Sequence, residues 1–215
     1  MYVPAHFAAN DLEKVAAFVH DAGAADLVTF DGTRLVSTLM PVIWDRDAAG
    51  HGRMLGHMAR NNPQWQTAVA DIPALAIVHG PQAYISPSWY QSTAEHGRTV
   101  PTWNYTTVHF TGPVAFHRDE RWLRDVVTRL TDRHEAGRAG RWWVSDAPEK
   151  FIAGQLRAIV GVELRIEQIE AKDKLSQNRA PQDRAGVIAA LTAEPDDGAH
   201  AVAGLMAARE ADSAT

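Results

Sequence analysis

The chain has 215 residues, 46% of them apolar and 22% charged, with a formal net charge of -5 and no cysteine. That length suits one sizeable domain with or without an appended piece. The missing cysteines exclude disulfides, thiolate catalysis and zinc–sulfur sites, and the negative balance excludes a strongly basic nucleic-acid surface as a net property.

No run approaches the ~18 consecutive apolar residues of a transmembrane helix. The opening MYVPAHFAAND has neither the basic nor the apolar region of a signal peptide, so a cytoplasmic protein is expected. Asn10 and Glu13 have the spacing of a capping box, and Leu12, Val15, Ala16 and Val19 form an apolar stripe that Gly23 ends. DLVTF predicts a strand, Asp31-Gly32 a hairpin turn, and Arg34 to Asp45 the returning strand. In GRMLGHMARNNPQW a strand is expected through about Gly56, with a short helix opening near His57. ALAIVHG and QAYIS are expected as two strands punctuated by Gly80-Pro81.

Tyr84 to Tyr105 holds three of the four tyrosines and two of the seven tryptophans, with two prolines and a glycine. It is expected as a loop. A loop that only connects elements is usually short and polar, so this one reads as a ligand wall or an interface. NYTTVHFTG and PVAFH continue the sheet. Asp119 to His134 predicts a helix with Trp122, Leu123, Val126, Val127 and Leu130 on one face. SDAPEKFIAGQLRAIVG predicts another, capped at Asp146 and ended by Gly161. VELRIEQIE alternates as a strand, and a last helix follows KDKLSQNR. The expected domain is residues 1–191, with 192–215 as a C-terminal tail, either a docked helix or a frayed end. Central antiparallel strands with helices around them predict a mainly β, α+β barrel. The glycine-rich nucleotide loops of Rossmann and P-loop proteins are missing.

A helix opening at His57 would present free backbone N–H groups to an anion, and Arg60 would add a fork suited to phosphate, with Asn61 and His57 as further donors. A surface arginine beside a helix cap is the bland alternative. Ser37 and Thr38 are hydroxyls in a strand. Lys174, Ser176, Gln177 and Asn178 form a second polar cluster, which Ser176 as a helix cap would also explain. His51 and His57 are six apart, which does not fit a helical metal pair, and no metal site is expected. The arginines between Arg118 and Arg141 alternate with acids and read as a solvated helix face with paired charges. A charged-tail anion site and aromatic walls together suit a phosphorylated flat heterocycle, FMN among others.

MYVPAHF, GHMARNNPQW, YISPSWY, VPTWNY followed by His109, and KLSQNR occur in the order and approximate spacing of the PaiB-like family, the FMN-binding negative transcriptional regulators. The chain resembles that family from Met1 to about Leu191. The resemblance implies an antiparallel FMN-type split β-barrel and a homodimer with the ligand pocket at the subunit interface. It makes Arg60, His57 and Asn61 phosphate candidates, sets Thr38 on the strand facing the ring, and makes Trp103, Asn104 and Lys174 pocket candidates. Two positions depart from the family: Leu39 stands where members often carry histidine, and Ala171 where they tend to carry glycine.

The resemblance implies a flavin-binding regulator. Without a basic recognition helix, direct DNA binding is not expected, and repression would act indirectly or through a protein partner. A flavin-dependent oxidoreductase or flavin reductase using NAD(P)H is the second expectation, since the cofactor would supply the chemistry without an acid–base pair from the chain. A ligand-free interaction module is the third, favoured by Leu39.

Overall fold

Val15 and Val19 share one face of helix α1 (Leu12–Ala22), and both are buried. Gly23 takes the left-handed conformation, φ 71°, and its N–H closes the helix on the Val19 carbonyl. The same 3.6-residue logic builds α4 (Glu120–Glu135), where Leu123, Val126 and Leu130 are buried and the Asp119 carboxylate caps the Trp122 N–H. The computed structural model describes residues 1–213.

Eight strands form the sheet: β1 (Ala24–Phe30), β2 (Leu35–Asp45), β3 (Arg53–Ala59), β4 (Ala74–Ile85), β5 (Thr102–Gly112), β6 (Val114–His117), β7 (Ile159–Arg165) and β8 (Gln168–Lys174). Their order is β6-β7-β3-β2-β1-β4-β5-β8. The pairings β1–β2, β1–β4, β2–β3, β3–β7 and β6–β7 are antiparallel, as the alternating sequence predicts. The α1–β1–β2 start and the α4 helix stand where they were expected.

The chain divides into two compact units. One comprises Leu12–Val78 and His109–Ile169. Its core sets Leu55 against Val126 and Leu130, and Leu123 against Val144, Ile152 and Leu156 of α5 (Glu149–Leu156). Each such side chain withdrawn from water contributes about 1.5–3 kcal/mol. Arg133 straps this core: its guanidinium donates to the carbonyls of Val42 at 2.7 Å and Val19 at 3.3 Å. Also on α4, Arg124 pairs with Glu149 and Glu120, and Arg129 with Asp45 and Asp125.

The other unit comprises Met1–Asp11, His79–Val108 and the chain from Glu170 onward. The C-terminal tail forms helix α7 (Asp197–Ser213), which packs on α6 (Pro181–Ala193). Ala199, Val202, Ala203 and Met206 bury themselves against Val187, Leu191, Ile85 and Tyr90. From Asp197 to Ser213 the tail is a helix docked on α6.

Several local expectations are corrected. β4 runs unbroken through Gly80-Pro81, so the two expected strands are one. The Tyr84–Tyr105 stretch contains two strand ends, a 3-10 turn at Pro87–Trp89 and the short helix α3 (Gln91–His96). Gly161 ends no helix: it lies inside β7, paired with His57. Val162–Glu170 is parts of two strands around a turn in which Glu167 N–H donates to the Thr111 carbonyl. Ser176 caps no helix; it adopts φ 63° in the turn after β8.

Candidate functional site

The GHMARNNPQW segment does not open a helix at His57. β3 continues to Ala59, and the helix that follows, α2 (Gln64–Thr67), is four residues long behind Pro63. His57 therefore sits mid-strand opposite Gly161, and the free helix-start N–H groups expected there do not exist. Burial lowers the His57 pKa below its ordinary 6.5, so the imidazole is neutral at pH 7 and offers a phosphate no charge. The anion-binding character of the corner rests on side chains instead.

Arg60 turns out of the strand end. Its backbone N–H donates to the Ala158 carbonyl at 2.8 Å and one guanidinium nitrogen donates to the Arg157 carbonyl at 2.9 Å. Among the described residues its guanidinium has no carboxylate partner. The Arg60 carbonyl accepts from the Trp65 indole N–H at 2.9 Å, and the Arg118 guanidinium lies 5.9 Å from that ring's centroid. Arg118 and Arg157 likewise have no carboxylate partner among the described residues. Asn61 is exposed beside Arg60. This corner sets Arg60 and Arg118 beside one indole.

Thr38 is held in place by the same segment. Its hydroxyl donates to Gln64 Oε1 at 2.5 Å and accepts from Asn62 Nδ2 at 2.8 Å. Gln64 is fully buried, and its Nε2 faces the Leu27 carbonyl, the Thr29 hydroxyl and the Val36 carbonyl at 2.9, 3.1 and 3.1 Å. Thr38 is thus joined to the corner through a polar network, and its hydroxyl is already satisfied by protein partners.

Trp103, Asn104 and Lys174 belong to the other unit and cluster there. The Lys174 ammonium is held by the Thr102 hydroxyl at 2.5 Å and the Trp103 carbonyl at 2.7 Å. Burial, with Lys172 and Arg179 nearby, lowers its pKa. Asn104 is fully buried, exchanging hydrogen bonds with the Ser176 hydroxyl at 3.0 and 3.2 Å. Trp103 is half-exposed and donates its indole N–H to Gln82 Oε1 at 3.0 Å.

One face of the β2–β1–β4 strands presents Leu35 and Leu39, 72% and 68% exposed. The register sets Leu39 opposite Asp26, and Leu35 opposite Phe30. Val28 of β1 pairs with Leu75 of β4, and Asp26 with Ile77, all on this face and none fully buried. Leu39 therefore joins a face on which apolar side chains stand beside the hydrogen-bonded Asp26 and Ser37.

Sequence reasoning missed Gln64 and Asn62, and read Arg118 as part of a paired helix face. Gln64 and Asn62 lie in the quoted NNPQW and differ from surface polar residues only by what they meet in space. Arg118 lies 58 positions from Arg60, so its place over Trp65 had no local signal.

An antiparallel sheet of this order with flanking helices defines the class of flavin-binding split barrels. Two solved structures share the fold. The flavocytochrome Anf3 from Azotobacter vinelandii superposes with a TM-score of 0.57 at 16% identity, covering 86% of this chain and 78% of its own. The FAD and heme binding protein from Mycobacterium smegmatis gives 0.56 at 18% identity, covering 82% and 78%. The chain belongs to the family described as a putative FMN-binding domain, whose model matches residues 1–168. Protease synthase and sporulation protein PAI 2 of Bacillus subtilis (strain 168) is 33% identical over 207 residues, 96% of each chain, which bears out the resemblance to the PaiB-like family. Among the described residues no helix is long and apolar enough to cross a membrane.

Proposed function

We propose that the chain binds FMN through the Arg60 corner, works as a homodimer, and acts as a PaiB-type negative regulator of transcription. The carrying observation is Arg60 itself: a guanidinium anchored by one nitrogen to a backbone carbonyl, with no carboxylate partner among the described residues. A phosphate accepts such a fork bidentately, and Arg118, over the Trp65 ring, adds charge of the same sign. These residues fit the phosphate of FMN. FMN, when bound, supplies a flat two-electron carrier. The chain's own residues anchor and orient it: Arg60 and Asn61 offer donors, and the Thr38–Asn62–Gln64 network keeps the corner rigid.

The exposed Leu35 and Leu39 face supports a dimer, because an apolar sheet face on a soluble protein is normally covered. Three of the four arginines of α4 are already held, Arg124 and Arg129 by carboxylates and Arg133 by backbone carbonyls, which leaves DNA no basic recognition helix, so regulation runs through a protein partner.

The test is the absorbance of the purified protein after mixing with excess FMN and desalting. Retained flavin bands are expected, and Arg60→Ala should weaken FMN binding by roughly tenfold or more, as expected for loss of a charge-assisted pair. A wild-type protein that emerges colourless sinks the FMN reading. A direct shift of promoter DNA at moderate salt sinks the partner-mediated one.

A further inference from the structure

A cavity of about 570 Å³ lies within the unit that carries Trp103. Its walls include Tyr84, Trp89 and Trp103, with Gln82, Glu194 and Asp196. Two of these rings are costly to leave wet: Tyr84 is 49% exposed and Trp103 45%. They are also held in position. The Trp103 indole N–H is tied to Gln82, and Tyr84 meets Trp103 edge to face at a centroid distance of 6.4 Å. A fixed aromatic wall is prepared before a ligand arrives.

The charge on the cavity has one sign. Glu194 is exposed, and its carboxylate has no hydrogen bond or ion pair among the described residues. Asp196 uses one oxygen to cap α7 at the Ala199 N–H, 2.8 Å away, which offsets the positive end of that helix. No lysine or arginine lines the cavity. Lys174, which touches the Trp103 carbonyl, directs its ammonium to that oxygen and to Thr102. Two carboxylates repel a phosphate, so this cavity does not take the phosphate end of a flavin nucleotide.

We propose that the cleft between Trp103, Trp89 and Glu194 binds an organic ammonium cation, quaternary or protonated. Aromatic faces attract such a group through their negative quadrupole, and the neighbouring carboxylates add a long-range term of the same sign. The apolar rings match the methyl or methylene groups around the nitrogen, which a bare metal ion lacks.

The experiment titrates the full chain with choline, and separately with 3,3-dimethyl-1-butanol, its uncharged isostere, following tryptophan fluorescence and binding heat. Saturable choline binding is expected, with the isostere at least tenfold weaker. Trp103→Ala should abolish the signal. Glu194→Gln, at an exposed side chain without partners, should weaken binding about threefold to tenfold without changing the circular dichroism spectrum. Absent choline saturation, equal binding of the isostere, or choline binding unaltered in both variants would overturn the proposal. Arg60→Ala should leave choline binding unchanged, so failure of the flavin reading and failure of this one are read separately.

Discussion

Gln64 shows how much one buried amide can hold. It accepts from Thr38 and faces two carbonyls and the Thr29 hydroxyl across β1 and β2, while its own segment carries Arg60. Replacing it with leucine keeps most of the volume and removes every partner. The Leu27 and Val36 carbonyls and the Thr29 hydroxyl would then each lose a donor, while the Thr38 hydroxyl would keep only Asn62. Gln64→Leu should therefore lower unfolding stability by about 3 kcal/mol, the scale of a few orphaned polar groups. Chemical denaturation checks this, and a loss below about 1 kcal/mol would mean that water reaches the network. Arg60 stood out in the sequence beside an expected helix start; the strand runs on to Ala59 instead, and the guanidinium is what remains of that reading. Gln64 was not legible, because its partners stand 26 to 37 positions away and no local pattern encodes them. His57 was misread for a related reason. Its segment carries helix-start residues, but pairing with β7 across 104 positions keeps it in a strand.

At the scale of elements, the strands that meet over Trp122 depend on a missing side chain. A Cβ at Gly161 would overlap the Trp122 ring, which is stacked 4.2 Å from His117. Trp122 also packs against both hydrophobic clusters beside α4, so it has little room to move. Gly161→Ala should cost about 2–3 kcal/mol by overpacking, although alanine is ordinarily the better residue in regular structure. A thermal melt that shows unchanged stability would mean that the ring shifts freely. Glycine near the end of an apolar helical pattern is a good stop signal, which is why the sequence suggested a helix end there. The strand pairing that overrides it is nonlocal. Likewise VELRIEQIE keeps a period of two across the turn between β7 and β8, so alternation alone could not reveal the break. Helices α1 and α4 were legible because their apolar stripes are long and capped.

For the whole molecule, the question is what covers Leu35 and Leu39. The family pattern often has histidine at the second position, and here leucine enlarges an apolar face that already includes Phe30, Val28, Leu75 and Ile77. The sequence pointed to this strand only through the resemblance. The exposure of the face needed the register, since alternation marks two faces without saying which is covered. A two-fold dimer would bury this face against its own copy, so each substitution acts twice. Leu39→Asp removes about 2 kcal/mol of apolar burial per copy and adds a charge beside Asp26, so dimer affinity should fall by roughly a thousandfold or more. Sedimentation equilibrium reads this directly: the wild type should sediment as a dimer at micromolar concentration and the variant as a monomer. A monomeric wild type removes the dimer. If the flavin pocket is built by two subunits, the monomeric variant should also lose retained FMN although Arg60 is intact. A monomer that keeps its flavin would assign the entire pocket to a single chain, and the Arg60 corner would then have to hold the ligand without a partner subunit.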